Sequence, residues 1–376
     1  MNCAERDNAA PDNPVKRAAM IAPRLAELGA RYDAAPVFPA ESLRCIAQAG
    51  LHSDFAPEAS GGWVFVSAEE KYIALMNVLR IIGRADLSAG RLFEGHINAM
   101  ALFDWYGSPG QKAGLAHQLE RGAFYGVWAT EPAPGVSIQR EQDGRITLKG
   151  FKSFASGAGG LDFALVTAQQ DGKDRQLVIV AADDPSRADL TQWRVRGMRA
   201  TTSGLYDLGG IDLHTHDLLG DPGAYDIEPR FTAGAWRFAA VQLGGIEALL
   251  TETQAALSEV ARSDPLQRAR FGDAVAATRS AFLWVREAAL RAARDDPDAA
   301  AFARMTRGIV ERAAFEMMEL SARLVGTRSA MDGERIDKIS RDLALYLRQA
   351  GPDYARDQAA IVWIDHDAWG EGDALW

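Results

Sequence analysis

The chain has 376 residues, 48% of them hydrophobic and 24% charged, with a formal net charge of −10 and an isoelectric point near 5.2. This is enough apolar material for two or three subdomains that each bury a core, and an acidic chain without a strongly basic run argues against a nucleic-acid partner. Two cysteines, Cys3 and Cys45, make neither a disulfide framework nor a metal knuckle, and no apolar run reaches the roughly 18 residues of a membrane span.

The polar N-terminal stretch MNCAERDNAAPDNP reads as neither a signal peptide nor a transit peptide, so a cytoplasmic protein is expected. From 15 to 122 the pattern is helical. VKRAAMIAPRLAELGARYD carries apolar positions at three- and four-residue spacing. Pro36 and Pro39 interrupt it, and Glu41 to Gln48 resumes a helix that Gly50 can cap. AEEKYIALMNVLRIIGRAD is amphipathic, HINAMALFDWYG follows it, and Ser108-Pro109 opens a further helix.

After Gly122 the period changes to short apolar runs: FYGVWATEPAPGVS, ITLKGF, FALVTA, QLVIVAA and a strand or edge at IDLHTHDLLG, with a turn at Asp143-Gly144. Residues 230–350 return to long helices, WRFAAVQLGGIEALLTETQAALSEVAR, ARFGDAVAATRSAFLWVREAALRAARD and DAAAFARMTRGIVERAAFEMMELSARLVG. The order is α, β, α, with segments expected at 1–122, 123–228 and 229–376.

The middle segment holds the first chemical signal. A flat cofactor ring against a sheet needs aromatic faces, small residues where backbone approaches, and hydroxyl or N–H groups at its polar edge. Trp128 and Phe154 supply the first, Gly135, Gly157, Gly159 and Gly160 the second, and Thr130 and Ser156 the third. The same residues are also ordinary sheet composition, with Thr130 and Ser156 as strand-end and turn hydroxyls.

Thr130-Glu131-Pro132-Ala133-Pro134-Gly135 and Gly150-Phe151-Lys152-Ser153-Phe154-Ala155-Ser156-Gly157 resemble the T-E-P-x-x-G and G-x-K-x-aromatic-x-(S/T)-x-G runs of the acyl-CoA dehydrogenase family of flavoproteins. FPAESLRCIAQAGLHSDFAPEASGG, YGSPGQKAGLAHQLERGAFYGVWATEP and RGMRATTSG match further family stretches in the family's order. The resemblance spans nearly the whole chain. It implies an α+β multidomain fold with an N-terminal α-helical domain, a middle β-domain and a C-terminal four-helix bundle.

It also implies FAD. Ala129 and Thr130 fall where the family holds the pyrimidine edge of the ring, Phe154 where an aromatic packs on it, and Ser156 near its reactive N5. Arg262, with Arg268 or Arg270 as a rival placement, falls at the pyrophosphate. Arg323 and Gly326 in ELSARLVGTR fall where a neighbouring subunit contributes, so a homodimer or homotetramer is implied. The family's substrate-side Ser is absent: Val136 takes its place, with Ser137 one residue on.

The family's base is also absent. Counting from Arg341-Asp342 puts Ala350 at the usual Glu, Gly351 at the Gly and Pro352 at the Thr. Asp353 lies three residues beyond Ala350, and Glu247 lies past Gly245 on a helix where other members carry their acid. Three readings follow. The first is an FAD-dependent acyl-CoA dehydrogenase-like oxidoreductase, with Asp353 removing a proton from a small-molecule substrate such as a CoA thioester and an electron-transfer partner as acceptor. The second is a flavin-dependent monooxygenase of the same fold that uses reduced flavin and O₂, with His96 and Ser156 at the ring; by itself His96 on an apolar helix reads more simply as a satisfied core residue. The third is a non-catalytic flavin-binding protein. His366 is a distant second His, and His214-Thr215-His216 lacks a third ligand, so no metal is expected.

Overall fold

The structure is a computed structural model that describes residues 13–170, 174–349 and 351–365. The chain begins with helices α1 (Pro14–Ala34), α2 (Ala40–Gln48), α3 (Leu51–Asp54), α4 (Ala68–Ala85), α5 (Leu87–Tyr106) and α6 (Pro109–Glu120). Local chemistry sets their starts. Asn13, Ser67, Asp86 and Ser108 each accept a backbone N–H from the first turn of α1, α4, α5 and α6, and Ser108 forms a reciprocal box with Gln111.

The strands are β1 (Tyr125–Trp128), β2 (Ser137–Arg140), β3 (Ile146–Lys149), β4 (Phe151–Ala155), β5 (Phe163–Gln169), β6 (Arg175–Ala181), β7 (Ala188–Asp189), β8 (Gly204–Asp207) and β9 (Leu218–Leu219). One sheet runs β3-β2-β5-β6-β9, with β1 added in parallel to β5; a smaller sheet runs β4-β8-β7. The antiparallel β5–β6 pair, Phe163↔Ala181 to Gln169↔Arg175, is the spine of the larger sheet and is buried along most of its length. The expected strand at IDLHTHDLLG shrinks to β9, because Thr215–Asp217 closes a 3-10 turn in which Asp217 accepts the His214 N–H.

Helices α7 (Arg230–Ala233), α8 (Trp236–Ala256), α9 (Glu259–Ser263), α10 (Pro265–Ala293), α11 (Ala299–Val325), α12 (Arg335–Tyr346) and α13 (Pro352–Asp365) complete the chain. The pattern expected as one helix through VAR divides at Leu257, which is extended, and Ser258 caps α9 by accepting the Ala261 N–H. Helices α4 and α8 meet at backbone contact: a Cβ on Gly244 would stand 2.2 Å from the Arg80 carbonyl oxygen. No helix among the described residues is long and apolar enough to cross a membrane.

The Arg341-Asp342 pair on α12 joins all parts. Arg341 bonds Asp33 on α1 at 2.7 Å, Asp337 at 2.7 Å and the Arg196 carbonyl at 2.6 Å. Asp342, 1% exposed, accepts the Met198 N–H at 2.5 Å and pairs with Lys338 at 2.7 Å. Lys338 also holds Asp86, the cap of α5, at 2.7 Å. Burial alone would push Lys338 down; Asp342 and Asp86 outweigh it and hold the ammonium charged. Gly197 is required here, since its Cβ would stand 2.0 Å from the Arg341 carbonyl oxygen.

Removing one partner of such a cluster strands the others in a dry site. Asp342→Ala is expected to cost about 3–5 kcal/mol in urea unfolding. Burial raises the Asp33 carboxyl, but the Arg341 guanidinium and nearby Lys338 and Arg199 hold it below its ordinary value of 3.8. Its stabilisation is therefore complete above that ordinary value and lost as pH falls through the lower folded value. Asp33→Asn is expected to flatten the acid limb of a stability–pH profile below pH ~4.

Candidate active site

A cavity of about 780 Å³ opens between β1 of the larger sheet, β4 of the smaller sheet and helices α5, α7, α8, α11, α12 and α13. Its sheet wall is made by Trp128, Ala129, Thr130, Ser153, Phe154 and Ser156, joined by Met198, Thr201 and Ser203 from the turn before β8. Trp128 is 3% exposed; its indole N–H donates to the Ser156 carbonyl at 3.1 Å and its ring lies 5.0 Å from that of Tyr206. Phe154 is aimed outward by strained backbone. Its φ is +52°, beside the irregularity in β4–β8 pairing between Lys152 and Ala155, and 68% of its surface is exposed. A non-glycine residue at positive φ within a bulge re-aims a side chain, and such strain gathers at functional sites.

Three hydroxyls form a chain. Thr201 donates to the Met198 carbonyl at 2.9 Å, so its oxygen can only accept from Ser203, 2.9 Å away. The single proton of Ser203 is thus committed, and Ser156, 2.9 Å from it, must donate. Ser156 Oγ therefore offers the cavity lone pairs, not a proton.

The helical wall carries a connected polar cluster on α5. Arg91, Glu94 and Asn98 lie at i, i+3 and i+7 on one face of α5. Glu94, 2% exposed, accepts from Arg91 at 2.5 Å and from the Asn98 amide at 2.5 Å. Arg237, in the first turn of α8, donates through Nε to Asn98 Oδ1 at 2.5 Å. Burial pushes the Arg237 guanidinium down from its ordinary value, and no carboxylate lies within 4.0 Å of it among the described residues. Tyr346 lines the same region; its buried Oη has no partner among the described residues. Burial, then the charge of Glu94, pushes its phenol far up, so it stays a donor. The Trp193 Nε1, of a residue also on the lining, is buried without a hydrogen-bond partner among the described residues.

Trp128, Ala129, Thr130, Phe154 and Ser156 are thus brought together on one wall. The other expected site residues lie elsewhere. His96 is fully buried in an aromatic cluster with Phe93, Phe124 and Tyr125. It accepts the Tyr125 N–H at Nδ1 (3.1 Å) and donates from Nε2 to the His52 carbonyl (2.7 Å), so neither nitrogen is left for a substrate. Asp353 is 89% exposed and pairs with Arg356, outside the cavity that its neighbours Tyr354 and Ala355 line.

Arg262 turns back onto the carbonyls of Leu257 and Gln254, closing the end of α8. Arg323 pairs with Glu319 on its own helix, and Gly326 ends α11 at φ +74°. None of these three lines the cavity. Glu247 faces Arg80, bonded at 2.7 and 2.8 Å. Ala350 and His366 lie outside the described residues. Glu94 is the only carboxylate on the cavity wall among the described residues, and both its oxygens are engaged.

Residues 221–354 match the family model described as "Acyl-CoA dehydrogenase, C-terminal domain". A dibenzothiophene monooxygenase of Mycolicibacterium goodii is 32% identical over 195 residues, 49% of this chain and 45% of the relative. The chain spans about half the length of the curated relatives it matches. TdsC of Paenibacillus sp. A11-2, solved with FMN and indole, superposes with a TM-score of 0.84 at 20% identity over 94% of this chain and 97% of that one. A glutaryl-coenzyme A dehydrogenase complex with glutaryl-CoA superposes at 0.82 and 17% identity over 100% and 98%. At those identities the likeness is one of fold, and the expected helical, β and helical architecture is the one found.

Burial lowers the His96 pKa from 6.5 to about 3. The unfolded chain takes up a proton there below pH 6.5 while the folded one does not, so His96 makes stability fall as pH drops from 6.5 toward 3. Nitrogen NMR is expected to show a neutral Nε2–H ring that does not titrate between pH 8 and 5. His96→Phe is expected to leave flavin affinity unchanged while costing about 1–3 kcal/mol, because the Tyr125 N–H and His52 carbonyl lose their partner.

Proposed function

We propose that this chain, which has the acyl-CoA dehydrogenase fold and matches that family's C-terminal domain over residues 221–354, is a flavin-dependent monooxygenase that takes reduced flavin and O₂. One observation carries this reading above dehydrogenation. The cavity has a wall that fits a flavin, yet its one carboxylate among the described residues is held by Arg91 and Asn98. Proton removal next to a thioester needs a carboxylate free to reach the substrate. The monooxygenases among the relatives support the same choice.

The fit to a flavin rests on the cavity itself. Trp128 and Phe154 give aromatic surface, the Ala129–Thr130 backbone and the lone pairs of Ser156 give polar edges, and Trp193 Nε1 is a buried donor without a partner. Bound there, reduced flavin supplies the two electrons that, with O₂, place one oxygen atom on the substrate and release the other as water. Ser156 contributes an acceptor, which suits the extra ring N–H that a reduced flavin carries at N5. Trp128 is fixed by its bond to Ser156, so the wall is set before a ligand arrives. Trp105, Phe231, Phe238 and Leu102 surround the substrate space with apolar surface that excludes water.

FMN is the flavin of this reading, in place of the FAD first expected. TdsC is an FMN-bound neighbour of the same fold, and Arg262 and Arg323, needed at a pyrophosphate, are engaged within their own segment. A homo-oligomer belongs to the proposal, since Leu283, Phe315 and Ile364 stand 63%, 49% and 80% exposed on the C-terminal helices.

With FMN, a flavin reductase and ¹⁸O₂, the protein is expected to place one labelled oxygen on at least one member of an aromatic panel that pairs neutral heteroaromatics, such as indole and dibenzothiophene, with their carboxylate-bearing analogues. Reduced FMN should bind more tightly than oxidised FMN. Ser156→Ala should weaken reduced FMN about tenfold, the equivalent of one hydrogen bond, and leave oxidised FMN nearly unchanged. Anaerobic bleaching of bound flavin by an acyl-CoA would overturn the reading in favour of a dehydrogenase.

A further inference from the structure

The cavity wall carries six arginines and one carboxylate inside a chain of net charge −10. Most have partners that explain them. Arg91 is neutralised by Glu94, Arg304 stands 3.9 Å from Glu228, Arg230 stands 3.9 Å from Asp295, Arg348 bonds the Ala344 carbonyl, and Arg307, itself buried, lies over the Phe238 ring at 5.4 Å. Arg237 differs. It is 8% exposed, and among the described residues its one side-chain hydrogen bond runs to a neutral amide.

The orientation of that amide is dictated. Glu94 can only accept, so Asn98 must turn its NH₂ to Glu94 and its oxygen to Arg237 Nε. Arg91 holds the other Glu94 oxygen, and the four residues form a relay that fixes the guanidinium without neutralising it. A buried cation with no counter-ion costs several kcal/mol. The second observation is independent: Tyr346, 4% exposed, also lines the cavity, and its phenol Oη is buried with no hydrogen-bond partner among the described residues.

We infer that Arg237 and Tyr346 recognise an oxyanion on the substrate, a carboxylate or a sulfinate borne on an apolar, ring-sized body. The guanidinium offers forked donors to two oxygens, the phenol adds a third, and Phe238, Leu102 and Trp105 enclose the apolar part. The inference rests on the monooxygenase reading for the word substrate, but the binding site stands on its own geometry. It reconciles an acidic protein with an anionic ligand, because the positive charge is local and desolvated.

The test is calorimetric titration of the protein, with and without FMN, by benzoate, benzenesulfinate and neutral benzamide. One or both anions are expected to bind at least about tenfold more tightly than benzamide, and their order tells carboxylate from sulfinate. Arg237→Gln should abolish that preference and Arg237→Lys should keep part of it, while FMN affinity, read by flavin fluorescence, moves less than about threefold. If Arg237→Gln does not fold, Arg237→Lys and Asn98→Ala carry the comparison.

Equal binding of benzoate, benzenesulfinate and benzamide, or no anion binding below a Kd of about 10 mM, would overturn the inference. So would a loss of FMN affinity parallel to the loss of anion affinity, which would assign the guanidinium to the flavin phosphate. Arg237-dependent anion binding in a protein that binds no flavin would retire the monooxygenase reading and leave the oxyanion site standing.

Discussion

The cluster of Lys338, Asp86, Asp342 and Arg341 is the constraint on which the molecule depends. It ties the cap of α5, the turn that precedes β8 and the N-terminal helix to one short helix. Each group is buried or partly buried, so each requires its partners, and the cluster tolerates only one relative placement of three parts of the chain. Met198, Thr201 and Ser203, which line the cavity, follow directly from the turn that Asp342 holds. Arg91, Glu94 and Asn98 follow from the helix that Asp86 starts. Tyr346 ends the same helix that carries the cluster. Both walls of the cavity are thus set from one point.

The cavity divides its chemistry between those walls. On the sheet side, hydroxyls commit their protons inward and leave Ser156 as an acceptor beside aromatic surface. On the helical side, a single carboxylate is used internally to aim an amide and, through it, a guanidinium. A site whose only acid is spent on positioning is poorly suited to proton abstraction. What the helical wall leaves is a positively charged space lined in part by apolar side chains.

The architecture and the sheet wall were legible in the chain. Period-2 runs and glycine turns mark the strands, helical spacing marks the flanks, and Trp128 and Thr130 in one run and Phe154 and Ser156 in the next, 28 residues apart from Trp128 to Ser156, were legible as wall residues through the resemblance of both runs to one family. The helical wall was not legible. Helix α5 is buried almost all round, which erases the amphipathic period that reveals a helix face, so Arg91, Glu94 and Asn98 passed unremarked. Three polar residues at i, i+3 and i+7 in an apolar run were the available signal. Thr201 and Ser203 stood in the quoted RGMRATTSG turn, but nothing local says that the turn folds back onto Ser156. His96 and Asp353 were placed by residue type, and type does not say what a side chain touches. In the sequence the Arg341-Asp342 pair marks only the register of the missing base, whereas its physical role is the junction.

The sequence by itself determined the order of helical and strand segments, the turn chemistry, and the motif that lines one wall with aromatic and hydroxyl groups. These depend on interactions between residues close along the chain, such as caps, periodicity and turn preferences. Only the tertiary structure decided which charges are neutralised. Glu94 meets Arg91 three residues away, but Arg237 meets Asn98 across 139 residues, and Asp342 meets Met198 across 144. Whether a buried charge is a strut, a base or a binding group is set by its partners. Those partners come together only when distant segments pack, because the cost of desolvating a charge is offset by whichever groups the fold brings within reach.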